Sequence, residues 1–243
     1  MKVINDLLNY NGLKIVQDTN MFSFSLDSVL LANFVCIDKN CKKILDIGCG
    51  NAPIPLFLST KTKTKIIGVE IQKEVYNLAK ESIEINKLSE QIEIINGDIN
   101  DIYKNFPTGF FDVITCNPPF FKYSISSKLN INKNKTIARH EIKLNLEQLF
   151  SISKYLLNNN GSIFIVHRPE RVVEIFNIMK KNNIEPKRVQ FIYPHFDDFS
   201  NIVLVEGVKN GKPGLKVLPP IISHDENGDY SEMIKTIFSC KEE

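Results

Sequence analysis

Between residues 43 and 116 four short runs of aliphatic and β-branched residues recur. They are Lys43-Ile44-Leu45-Asp46-Ile47, Lys65-Ile66-Ile67-Gly68-Val69-Glu70, Ile92-Glu93-Ile94-Ile95-Asn96 and Phe111-Asp112-Val113-Ile114-Thr115-Cys116. Each is closed by turn-forming or acidic residues. The spacer from Lys73 to Asn86 carries Val75, Leu78, Ala79 and Ile83 at helical spacing. A second helical pattern runs through Pro53, Leu56 and Leu58. Strands alternating with helices at this interval predict a parallel sheet with right-handed crossovers. In such sheets ligands bind beyond the carboxyl ends of the strands, so the four strand ends are where chemistry is expected.

The fourth run delivers Asn117-Pro118-Pro119-Phe120. Asn-Pro-Pro-aromatic suits the grip of an amino nitrogen conjugated to a planar π system. The lone pair of such a nitrogen is delocalised and attacks a methyl group poorly. Two oxygen acceptors off the ring plane hold its N–H bonds and favour a pyramidal nitrogen. The Asn117 side-chain oxygen and the Pro118 carbonyl are expected to be those acceptors; proline has no donor and stiffens the loop. Pro119 shapes the turn, and Phe120 offers a stacking face, worth roughly 1–3 kcal/mol. The same four residues also suit an ordinary strand-ending turn. The matching electrophile is the methyl sulfonium of S-adenosyl-L-methionine.

The other strand ends fit that electrophile. Gly48-Cys49-Gly50 lets the backbone approach a ligand. It is a poor dinucleotide fingerprint, because Pro53 stands where a third glycine belongs. Asp46 fits a role in ordering the loop at the methionine end. Glu70 lies about 20 positions on, the spacing of a carboxylate that bridges ribose hydroxyls. Gly97-Asp98-Ile99 can reach an adenine amino group. Asp98 fits a helix N-cap equally well, and the two roles are compatible. Cys116, last in an apolar strand with no activating neighbour, reads as core filler rather than a nucleophile.

Further blocks are distributed along the chain: Phe22-Ser23-Phe24-Ser25-Leu26-Asp27-Ser28-Val29-Leu30-Leu31, Gly68-Val69-Glu70-Ile71-Gln72, Ile137-Ala138-Arg139-His140-Glu141, Val166-His167-Arg168-Pro169-Glu170-Arg171, Asn201-Ile202-Val203-Leu204-Val205-Glu206-Gly207 and Gly214-Leu215-Lys216-Val217-Leu218-Pro219-Pro220. With Asp46–Gly50 and the Asn-Pro-Pro-Phe motif, these blocks make the chain resemble the adenine-N6 methyltransferases of valine tRNA. The resemblance implies a Rossmann-like class I methyltransferase fold: α/β, with a seven-stranded, mostly parallel sheet, an antiparallel last strand and helices on both faces. It implies methyl transfer from S-adenosyl-L-methionine to N6 of adenosine 37, beside the anticodon. It adds Gln17, Asp27, Asn51 and Ile71 to the cofactor-binding residues. Two departures are visible. Phe120 replaces the commoner Tyr. Asn51-Ala52 stands where relatives have another glycine, which predicts a stiffer loop.

The second half supplies the remaining elements: a helix near Leu146–Leu157, a turn at Asn158–Gly161, and strands at Ser162–Val166, Arg188–Tyr193 and Asn201–Gly207. Residues 1–243 are expected to form one methyltransferase domain. Within it, residues 1–40 are a segment closing the cofactor pocket, with Ser25 or Asp27 capping its helix. Residues 122–138 are expected to be a mobile basic substrate loop, and residues 209–243 a hairpin-like C-terminal extension. The chain's net charge is only +2, so RNA affinity has to come from local patches. Lys122, Lys133, Lys135, Arg139, His140 and Arg168 are the RNA-binding candidates, with a local pairing role for Arg168 and Arg171 slightly favoured. The five cysteines show no metal or redox spacing, which fits free thiols in a reducing cytoplasm. No leader-like segment, membrane span, metal site or obligate protein partner is expected. The alternative reading is a glutamine N5-methyltransferase acting on release factors, since a planar side-chain amide suits the same tetrapeptide.

Overall fold

The computed structural model describes residues 1–8, 12–19, 25–118 and 144–239. Two strands, β1 (Lys2–Asp6) and β2 (Lys14–Asp18), pair antiparallel at the start, and helix α1 (Leu26–Phe34) follows. The expected alternation then appears: β3 (Lys43–Ile47), α2 (Pro53–Lys61), β4 (Lys65–Glu70), α3 (Lys73–Ile85), β5 (Ile92–Asn96), α4 (Ile99–Ile102) and β6 (Phe111–Cys116). Beyond residue 143 come α5 (Leu146–Leu156), β7 (Leu157–His167), α6 (Val172–Lys181), β8 (Ile184–Tyr193), β9 (Ile202–Lys209), β10 (Lys216–Val217), β11 (Ile221–Ile222) and α7 (Glu232–Ser239).

The sheet order is β10-β8-β9-β7-β6-β3-β4-β5, with β11 also on β8. The pairs from β5 across to β7 are parallel, and β9 runs antiparallel to both β7 and β8. The seven long strands therefore form the expected mostly parallel sheet with its last strand reversed. The tail differs from the expected hairpin. β10 and β11 both add parallel to β8, in line along its length. Pro213, Pro219 and Pro220 lack the N–H donors that a regular ladder needs, so only two short stretches pair.

Alternation along the strands builds two cores, one per face. Ile44, Val113, Phe164, Val166 and Leu204 pack beneath α1, α2 and α3. Leu45, Ile47, Ile114, Ile163, Ile165, Val203 and Val205 pack against α4, α5 and α6. The period of two thus fills both sides, as a sheet covered by helices requires. The Asn158–Gly161 stretch is not a free turn. It lies inside β7 as an irregularity, with Asn160 at φ 63° and a register shift against β6. Asn tolerates the left-handed region, so the strand kinks there rather than ending.

Candidate active site

The carboxyl ends of β3, β4, β5 and β6 are adjacent and point the same way. At the end of β3, Gly48 and Gly50 adopt φ 70° and 58°, the left-handed conformation that glycine takes at no steric cost. A Cβ added to either would meet nothing within 4 Å, so the turn presents bare backbone to open space. The N–H groups of Gly48 and Cys49 both donate to the Val69 carbonyl, at 2.9 and 3.0 Å. Gly68 allows this approach, since a Cβ there would sit 2.8 Å from the Cys49 sulfur.

Glu70 is buried at the end of β4, and its carboxylate holds the turn from below. Its Oε2 accepts from Gly50 N at 3.0 Å, and its Oε1 from Gln72 N at 2.8 Å. Each oxygen keeps a second lone pair for a hydroxyl donor. At the end of β5, Asn96 Nδ2 donates to the Glu70 and Ile71 carbonyls, which fixes Ile71 beside the acid. Asp98 caps α4, accepting from Asn100 N at 3.0 Å, and Ile99 behind it is buried. The capping role of Asp98 is thus realised.

Asp46 and Thr115 face each other across β3 and β6, and the Thr115 hydroxyl donates to Asp46 Oδ1 at 2.6 Å. Burial pushes the Asp46 carboxyl up to about 7; the Thr115 bond opposes this and the Glu70 charge adds to it. Its Oδ2 has no partner among the described residues although fully enclosed. Two residues past Thr115, and so on the same face, Asn117 donates its side-chain N–H to the Ser28 hydroxyl of α1 at 3.1 Å. Pro118 follows and is buried. Cys116 points the other way into the second core, its thiol pushed well up by burial, which agrees with core filler.

The β1–β2 hairpin is tied both to the Gly-x-Gly turn and to α3. Asn51 Nδ2 donates to the Val16 carbonyl at 2.9 Å, and Val16 N donates to Ser82 Oγ of α3 at 2.9 Å. The Asn51 side chain therefore ties the Gly-x-Gly turn to the hairpin, and Ala52 beside it sits at φ 71°. Gln17 is buried; its Oε1 accepts from Asn5 at 2.7 Å, while its Nε2 has no partner among the described residues. The hairpin escaped the sequence reading although Asn11-Gly12, between two alternating runs, was a strong signal for it. Ser28 escaped too; only the i, i+1 adjacency to Asp27 hinted at it.

Ser25 occupies the N-cap position of α1, and its carbonyl accepts from Ser28 N at 3.1 Å, but its side chain makes no capping bond; its hydroxyl bonds Asp27 instead. Burial raises the Asp27 carboxyl, against the charge of Arg168. Arg168 Nη1 donates to the Asn201 carbonyl at 2.7 Å, and Arg171 forms a two-pronged pair with Glu174 at 2.9 and 2.7 Å. Both arginines thus have local partners. Pro119, Phe120, Lys122, Lys133, Lys135, Arg139, His140 and the 122–138 loop lie outside the described residues. No cluster of three or more His, Cys, Asp or Glu suited to a metal occurs among the described residues.

The residues present fit a nucleoside cofactor with a charged amino-acid end. The glycine cradle is open, the Glu70 oxygens have capacity left, and two buried polar atoms, Asp46 Oδ2 and Gln17 Nε2, have no partner among the described residues. An ammonium donor and a carboxylate acceptor are the complements of those two atoms.

The fold is shared with known methyltransferases. The crystal structure of a predicted O-methyltransferase, protein Atu636 from Agrobacterium tumefaciens, superposes with a TM-score of 0.69 at 19% identity, covering 87% of this chain and 95% of that one. The methyltransferase small domain matches residues 12–183, and the chain belongs to that family. Among curated relatives, tRNA1(Val) (adenine(37)-N6)-methyltransferase of Cytophaga hutchinsonii is 25% identical over 78% of each chain. The protein of the same name from Flavobacterium psychrophilum is 27% identical over 76% of this chain and 79% of its own.

Proposed function

We propose that this chain is an S-adenosyl-L-methionine-dependent tRNA methyltransferase that modifies N6 of adenosine 37 of a valine tRNA. The observation that carries this reading is the Asn117 amide at the end of β6. It is anchored by its nitrogen, its oxygen bonds no described residue, and it lies on the strand adjacent to the one that ends in the open Gly48–Gly50 turn. The matched relatives, named for this reaction, span most of the chain.

The cofactor supplies an electrophilic methyl group on a sulfonium. Glu70 takes the ribose hydroxyls, Asp98 and Ile99 border the adenine, and Asp46, Gln17 and Asp27 serve the amino-acid end. Asn117 Oδ1 and the Pro118 carbonyl accept the two N–H bonds of the target amine, and Phe120 stacks on its base. With the cofactor held there, its sulfonium would supply the methyl group to the nitrogen lone pair that Asn117 and Pro118 orient, and the displaced N–H proton would go to solvent. No general base is needed before attack, so positioning and desolvation supply most of the acceleration. The basic residues between 122 and 138 supply phosphate contacts once the base is extruded.

Unmodified valine tRNA and tritiated cofactor test this reading. Label is expected at residue 37 and absent from a transcript with guanosine there. Label in a release factor instead would favour the glutamine alternative. Asn117→Ala is expected to lower turnover at least 100-fold with cofactor affinity within about twofold of wild type, since the lost contact belongs to the transition state. Retained turnover would remove Asn117 from the mechanism.

A further inference from the structure

We infer that Ser28 is a positioning residue for methyl transfer: it holds the nitrogen end of the Asn117 amide, so that the oxygen end meets the acceptor amine. The inference rests on the proposed function, and it concerns a residue in the first turn of α1, 89 positions away in sequence.

An asparagine side chain has two nearly isosteric ends with opposite hydrogen-bonding character. An amine to be methylated presents N–H donors. The oxygen end satisfies them, whereas the nitrogen end would set donor against donor. Rotation by half a turn therefore converts a productive site into an unproductive one without changing its shape. Something must take the nitrogen end whenever the oxygen faces substrate.

Ser28 is placed to do so. It is 4% exposed, on the face of α1 turned to the sheet. Val113 and Thr115 of β6 point to that same face, and Asn117 continues their alternation. The Asn117 Nδ2 donor reaches Ser28 Oγ at 3.1 Å. The helix is itself fixed: Val29, Leu30, Leu31 and Phe34 are buried in the first core, and Arg188 of β8 donates to the Phe34 carbonyl at 3.0 Å. The hydroxyl is thus a rigid acceptor. Without it, the productive orientation leaves a donor unpaired at a part-buried position, and the amide loses its preference for that orientation.

Ser28→Ala and Ser28→Thr test this. Both keep helix-compatible backbones, and alanine is the better helix former, so folding should survive. Ser28→Ala is expected to lower kcat about tenfold, with KM for tRNA and the cofactor dissociation constant within about twofold of wild type. Ser28→Thr, which restores a hydroxyl, is expected to recover most of the loss. A role confined to packing would give the opposite ranking, because threonine adds a methyl group to a filled site. Equal kcat in wild type and Ser28→Ala, or failure of threonine to do better than alanine, overturns the inference. Wild-type protein that leaves tRNA unmethylated overturns the substrate reading instead. A direct readout separates the two further: the Asn117 side-chain NH2 resonances should be protected from solvent exchange in wild type and Ser28→Thr but not in Ser28→Ala.

Discussion

Asp46 and His167 are buried ionisable side chains whose burial acts on stability in opposite senses. Burial pushes Asp46 up to about 7 from 3.8, so in the unfolded chain the proton leaves first. Stability from keeping that proton is complete below about pH 4 and is lost as the pH rises to 7. His167 is brought down to about 4 from 6.5, by burial first and the Arg171 charge second, and Arg168 N donates to its Nδ1 at 2.7 Å. The folded state therefore keeps it neutral, and stability falls as the pH drops from 6.5 towards 4. Between pH 4 and 6.5 the two slopes cancel, because the unfolded chain loses one proton from aspartate and holds one extra on histidine. Asp46→Asn removes one of them. Relative to wild type, this variant should gain stability steadily from pH 4 to 7, by on the order of 3 kcal/mol across the window. Urea unfolding at half-unit pH steps measures it, and parallel wild-type and variant curves would show that the carboxyl titrates normally. That an aspartate near the end of β3 stands just before the Gly-x-Gly turn was legible from the sequence. That it would be wholly enclosed was not, because enclosure depends on Thr115 and Glu70, which arrive from two other strands.

Arg188 shows how one side chain can fix the helix that carries Ser28. Its guanidinium pairs with Glu206 on β9, donates to the Phe34 carbonyl at the end of α1, and lies 4.5 Å from the Phe34 ring centroid. Removing it leaves the largely buried Glu206 carboxylate unpaired and frees the end of the helix that carries Ser28. Arg188→Ala should therefore cost about 3 kcal/mol, read as a lower urea midpoint with an unchanged slope. Arg188→Met with Glu206→Leu should cost clearly less. If the single variant costs no more than the double, the pair is not acting as a buried ion pair. Helix α5 offers a second case. Asn145 and Gln148 form a reciprocal capping box, with bonds of 2.9 and 3.0 Å, and Asn145→Ala should cost about 1 kcal/mol. At the end of α3, Lys87 sits at φ 57° while Leu88 N reaches back to the Ile83 carbonyl. The exposed Lys87→Gly should stabilise by about 1 kcal/mol in the same assay, since glycine takes the left-handed position without penalty. The main elements were readable from hydrophobic period because each strand feeds both cores. The pairing of Arg188 with Glu206, like the parallel docking of β10 and β11, links residues that no local pattern connects, so only the assembled sheet reveals it.

Charge is distributed unevenly over the whole molecule, and on the proposed function this sets how it would meet RNA. Residues 122–143 hold six Lys or Arg against Glu141, a net +5, which leaves −3 on the remainder given the chain's total of +2. The described arginines nearest the site, Arg168 and Arg171, already have protein partners in Asn201 and Glu174. On the proposed function, phosphate recognition is therefore assigned to the segment that follows the Asn-Pro-Pro-Phe motif. This division was visible in the sequence, because a run of lysines free of hydrophobic period needs no tertiary partner to be noticed. The local pairing of Arg168 was not, since its acceptor lies 33 positions away. Counterion release makes the proposal quantitative: each phosphate contact on single-stranded nucleic acid contributes roughly 0.7 to the slope of log affinity against log salt. Replacing Lys133, Lys135 and Arg139 together by Gln should lower that slope by about 2 and weaken tRNA binding at low salt. At high salt the affinities of variant and wild type should converge, and cofactor affinity should not change. An equal loss of affinity at every salt concentration would instead mean that the three side chains support structure rather than meet phosphates, and the RNA would then have to be held by surfaces outside that segment.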